Sequence, residues 1–132
     1  MTLARPTPFL RWALLADAIA TGGTGLLMTF AAGALAPLLQ LPESLLYYAG
    51  LPLIPYAAFV GWLARRETMP RFAVWAVIIL NVLWAADCGL LAFSGWVAPT
   101  ALGYAFIVMQ VVVVAAFAEL QYVGLRRSTV TA

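Results

Sequence analysis

Leu15–Gly25 reads LADAIATGGTG, one carboxylate with two threonines and three glycines. In a soluble domain, Gly22-Gly23-Thr24-Gly25 would suggest a turn or a phosphate-gripping loop. A phosphate loop needs a strand before it and a lysine followed by serine or threonine after it. Here Leu26-Leu27-Met28 follow, and the chain has no lysine. Helical spacing gives the better reading. Ala18, Gly22, Gly25, Thr29 and Gly33 recur at steps of three or four. That is a small-residue seam on one helix face, which lets another backbone approach closely.

The rest of the chain supplies the setting. Of its 132 residues, 65% are hydrophobic and only 9% charged, too little charged surface for a water-soluble domain of this length. Mean hydropathy is +1.00. Four apolar runs account for it, and each offers the ~20 residues a membrane-crossing helix needs. The expected architecture is one all-α domain over residues 1–132, an antiparallel bundle of four transmembrane helices at about 9–34, 44–64, 70–94 and 98–122. Short connections make consecutive spans antiparallel neighbours. The first run carries Asp17 and Gly22-Gly23 where a signal peptide is uniformly apolar, so it reads as the first helix of the fold.

The charges orient the bundle. All seven basic residues are arginines: Arg5 and Arg11 at the start, Arg65, Arg66 and Arg71 between spans 2 and 3, and Arg126 and Arg127 after span 4. The other two connections have none, so a four-span chain carries every arginine on one side. That side is the cytoplasm, with both termini inside. The pI near 9.0 reflects an arginine rim facing anionic headgroups rather than a nucleic-acid surface.

Pro8 suits the first turn of span 1, since its missing N–H would have no partner there. In span 2, GLPLIPY sets Gly50 beside Pro52 and Pro55. The prolines leave the carbonyls of Tyr48 and Leu51 without their helical donors, which predicts a kinked second helix. Thr68 is a candidate cap for span 3, and Gly124 a breaker of span 4.

Polar residues inside the spans are costly and mark candidate sites. Asp17 counts to ~6 Å inside the arginine-side boundary, with Thr21 and Thr24 on its face. Asn81 and Gln110 count to roughly the midplane, where they are candidates for hydrogen bonding across helices. Asp87 sits ~8 Å inside the opposite boundary, about 120° around the helix from Asn81. Trp84 and Cys88 share the Asn81 side, and Tyr47, Tyr48, Tyr56 and Tyr104 add aromatics for a pocket. The ligand or ion candidates are therefore Asp17, Asn81, Trp84, Asp87 and Gln110. With no histidine, an ordinary histidine-ligated metal or haem site is excluded. A lone cysteine makes no CxxC centre. No nucleophile–base–orienter set exists, so no catalytic residue, metal or cofactor is expected.

LLADAIATGGTGLL, YYAGLPLIPYAAFVGWLARR, LNVLWAADCGLL and ALGYAFIVMQVVVVAAFAELQYVGLRR together cover nearly the whole chain. In layout they resemble small uncharacterised four-helix bacterial inner-membrane proteins and are distantly similar to DoxX-like proteins. The resemblance implies a bacterial inner membrane and four helices, and carries over no residue roles. The expected function is non-enzymatic: binding a partner protein or a small hydrophobic ligand within or beside the bundle. The alternative is an oligomeric proton- or cation-conducting channel or coupled transporter. Expected partners are membrane lipid, and a second copy of the chain or a larger membrane protein, with no nucleic acid.

Overall fold

The computed structural model describes residues 3–95 and 97–131. Its order is β1 (Leu3–Arg5), α1 (Pro8–Phe30), α2 (Ala32–Leu39), α3 (Glu43–Gly50), α4 (Leu53–Ala64), β2 (Met69–Pro70), α5 (Arg71–Phe93), α6 (Ala101–Arg126) and β3 (Thr129–Thr131). Four helical stretches are long and apolar enough to cross a membrane: α1, α3 with α4, α5 and α6. They are spans 1 to 4 of an all-α bundle with a broken second helix.

Local chemistry sets the boundaries. Thr7 caps α1 by accepting the Leu10 N–H, with Pro8 in the first turn. Thr100 caps α6 by accepting the Gly103 N–H at 3.1 Å. α5 begins instead behind Pro70, without a side-chain cap. Thr68 is not that cap, because Met69-Pro70 are drawn into a strand. The connection expected from Ala34 onward is largely helical, as α2, and ends at Gln40 in the left-handed region. Gly124 does not stop α6, which runs on to Arg126. A Cβ at Gly124 would lie 2.9 Å from Leu10 Cα, so this glycine serves close approach of spans 1 and 4.

At Leu51-Pro52 the second helix breaks. The Leu51 N–H still reaches the Tyr47 carbonyl at 3.1 Å, and the Leu51 carbonyl accepts from Ile54 N at 3.3 Å. That bond spans three residues rather than four. A tightened turn thus serves the carbonyl that Pro55 cannot.

The glycine seam is used inside the chain. A Cβ at Gly22 would come within 3.3 Å of Ala57 Cβ, and one at Gly25 within 2.8 Å of Leu53 Cβ. A Cβ at Gly50 would meet Thr29 Oγ1 at 2.8 Å, and Gly61 faces Ala18. The pairs run in opposite directions along the two helices, so spans 1 and 2 form a tight antiparallel hairpin. Gly33 lies beyond the end of span 1, in α2, facing Glu43.

Spans 3 and 4 form the second hairpin, and span 1 also meets span 4. Consecutive spans were expected to be neighbours throughout. Spans 2 and 3 instead approach little along their helices, and their link at mid-bundle is Tyr56. Both ends are stapled. At one end β2, β1 and β3 form an antiparallel ribbon, gathering the first residues, the span 2–3 connection and the last residues. All three arginine groups therefore sit at that end. At the other end the Thr100 hydroxyl donates to the Leu38 carbonyl at 2.8 Å, and Thr100 N donates to Leu39 O at 3.1 Å. One apolar core, with Leu10, Leu14, Val60, Leu63, Val74 and Val77, fills the ribbon end. Another, with Met28, Leu39, Leu46, Val97 and Ile107, fills the far end.

Candidate functional site: a polar clasp beneath an apolar cavity

Between the two cores lies a buried polar layer. Asp17 of span 1 is 1% exposed. Its Oδ1 accepts from the Thr21 hydroxyl at 2.7 Å. Its Oδ2 accepts from Asn81 Nδ2 of span 3 at 2.9 Å and from Gln121 Nε2 of span 4 at 2.7 Å. Asn81 Nδ2 also donates to Gln121 Oε1 at 3.0 Å. Asn81 Oδ1 faces the Tyr56 hydroxyl of span 2 at 3.1 Å, and that hydroxyl lies 3.2 Å from the Val77 carbonyl.

Every span thus contributes at least one group to a single network. Its directions are consistent. A carboxylate only accepts, so both amides turn their NH2 groups toward Asp17. That turn leaves the Asn81 oxygen facing Tyr56, which donates. In a membrane interior such cross-helix bonds average about 0.6 kcal/mol each, so several together are needed to hold two hairpins.

Asp17 is not paired with an arginine. Arg11, the nearest in sequence, donates from Nη1 to the Ala64 carbonyl at 2.6 Å. α1 begins at Pro8, nine residues earlier, so Asp17 lies ~13 Å along the helix at 1.5 Å per residue. Asn81, ten residues into α5, is at a matching depth, and the two meet.

Asn81 and Gln110, expected as candidates for a shared hydrogen bond, take different partners. Gln110 Oε1 accepts from Trp84 Nε1 at 3.2 Å, one stratum above the clasp. Asp87 and Glu119 are exposed on outer helix faces and join neither group. Gln121 was missed, although it had a signal. It follows Gln110 by eleven residues, within about 20° on the same helix face. Tyr56 was noticed only as an aromatic, and its hydroxyl is the contribution of span 2.

A cavity of about 660 Å³ lies against this layer, between the hairpins. All four spans line it, with Thr24, Leu53, Leu80, Trp84, Gln110 and Phe117 among the walls. Its volume falls in the range of small-molecule pockets. Thr21, Tyr56 and Asn81 also face it, while Asp17 does not. The donors therefore separate the carboxylate from the cavity. Among the described lining residues none is charged. Ile19, Leu80 and Met109 line the cavity in mid-helix and remain exposed. The opening therefore faces sideways, at mid-helix.

The proline break shapes this wall through Pro52 and Leu53. Tyr48 and Leu51, whose carbonyls the prolines orphan, are not part of it and are exposed. Among the described residues no group of acidic, cysteine or histidine side chains is arranged to hold a metal.

Compared with known proteins, the chain matches no family model, no curated protein and no solved structure. None of these comparisons supports the expected likeness to DoxX-like proteins, and the site stands on its own geometry.

Proposed function

We propose that this protein is a non-enzymatic multi-pass protein of a bacterial inner membrane that takes up a small hydrophobic ligand between its two helical hairpins. The observation that supports this is the cavity: apolar walls, a few convergent polar groups and an opening at mid-helix. Such pockets are the usual form of small-molecule sites. Access at mid-helix suits a ligand that arrives through the lipid.

Membrane orientation follows from the arginine rim. The end carrying the ribbon faces the cytoplasm, with both termini. Thiol labelling of single cysteines in a Cys88-free background checks this, and outside access at Glu67 contradicts it. Association with a second copy or a larger membrane protein is a further proposal. Because span 2 occupies the glycine seam, such a contact would use another face.

A second reading, proton or cation movement, is favoured by one observation, the carboxylate at mid-bundle. Weighing against it, Asp17 accepts three hydrogen bonds within the clasp, and Asp87 and Glu119 are exposed on outer faces. Two measurements on the purified protein separate the readings. Native mass spectrometry from mild detergent is expected to show a retained small molecule. Proteoliposomes are expected to show no proton or monovalent-cation flux above empty vesicles. Robust flux that Asp17→Asn abolishes overturns the ligand-binding reading.

A further inference from the structure

The Gln110 amide is oriented by its neighbour. An indole N–H only donates, so the oxygen of Gln110 must face Trp84 Nε1, as observed at 3.2 Å. The NH2 group is then the free end. Gln110 is 8% exposed and lines the cavity. Among the described residues its Nε2 has no hydrogen-bond partner. That NH2 group opens on the cavity, where an occupant can supply its acceptor.

Resting on the reading of the cavity as a ligand site, we propose that the occupant is an uncharged single-chain lipid whose head presents a carbonyl oxygen to Gln110 Nε2. The chemistry of the wall sets each part of this. No charged side chain lines the cavity to receive a charged head, and an unpaired charge there would be strongly disfavoured. The amide acceptors on the wall are engaged, Gln110 Oε1 by Trp84 and Asn81 Oδ1 by Tyr56, while the threonine hydroxyls can both donate and accept. A carbonyl oxygen meets the Gln110 donor without needing an acceptor in return. A cavity of about 660 Å³ suits one chain with its head rather than a two-chain phospholipid. The aliphatic walls of Leu27, Leu80, Met109 and Val113 receive the chain.

The test is a native mass spectrometry titration of the full chain in nanodiscs with methyl undecyl ketone, tridecane or laurate. The ketone is expected to bind at the lowest concentration. Gln110→Leu is expected to raise its midpoint about fivefold, the usual scale for one neutral hydrogen bond, and to leave that of tridecane in place. The single variant strands the Trp84 N–H. The Trp84→Phe/Gln110→Leu pair removes both partners and keeps the test open if the single variant fails to fold. Equal midpoints for ketone and tridecane, a ketone midpoint unmoved by either variant, or tighter binding of laurate overturns this inference and leaves the cavity as a ligand site. Binding of none of the three overturns both.

Discussion

Asp17 shows how far a residue is legible from sequence. The cost of a carboxylate in an apolar run favours the bundle interior, and Asp17 lies there, whereas Asp87 and Glu119 are exposed. The partners of Asp17 were harder to name, because bonding across helices depends on how the helices pack, which spacing along one helix does not record. In the bundle Asp17 meets Asn81, and Gln110 meets Trp84. Replacement of Asp17 by leucine would leave the Thr21 hydroxyl and the Asn81 and Gln121 amides without their acceptor. At about 0.6 kcal/mol per bond the loss is roughly 2 kcal/mol. Asp17→Asn retains an oxygen for both amides and turns its NH2 to Thr21 Oγ1, so its cost is expected to stay below about 1 kcal/mol. Thermal unfolding in detergent reads the difference. Equal losses in the two variants contradict the clasp.

At the scale of the element, α1 carries two faces of opposite demand. Gly22 and Gly25 lie against span 2, whereas a Cβ at Gly23 would meet nothing within 4 Å. Spacing alone could name the seam but not its partner, since helical angle is local and packing is not. Gly25→Leu pushes into Leu53 and the Gly50 carbonyl, and is expected to cost about 1–3 kcal/mol by overpacking. Gly23→Leu adds a good helix former in open space and is expected to stabilise by up to about 1 kcal/mol. Melting temperatures moving in opposite directions check this, and two equal losses contradict the assignment of faces. The proline break was visible in GLPLIPY, because a missing N–H is a property of the residue itself. The helical α2 and the ribbon were not visible. Strands of two or three residues show no alternation to read, and they form because three chain segments converge at one end.

At the scale of the molecule, four spans and the arginine rim were legible because length and charge are sums over many residues. The arrangement of spans was not. Short connections favour consecutive neighbours, yet spans 2 and 3 stand apart at mid-bundle, and that separation makes the cavity. No local pattern records a space between helices. The cavity is also why Asn81, Trp84 and Gln110 share one wall while Asp87, on the same helix as two of them, turns outward. The central claim, that this space admits a molecule from the lipid, is tested most directly by photolabelling in native membranes. An alkyl diazirine probe is mapped by peptide mass spectrometry on the wild type and on Gly23→Leu, which narrows the cavity. The expected adducts concentrate on Ile19, Leu80, Met109 and Val113 and fall in the variant. Adducts spread over outward-facing Phe72, Leu90 and Phe93, unchanged by Gly23→Leu, would contradict the account.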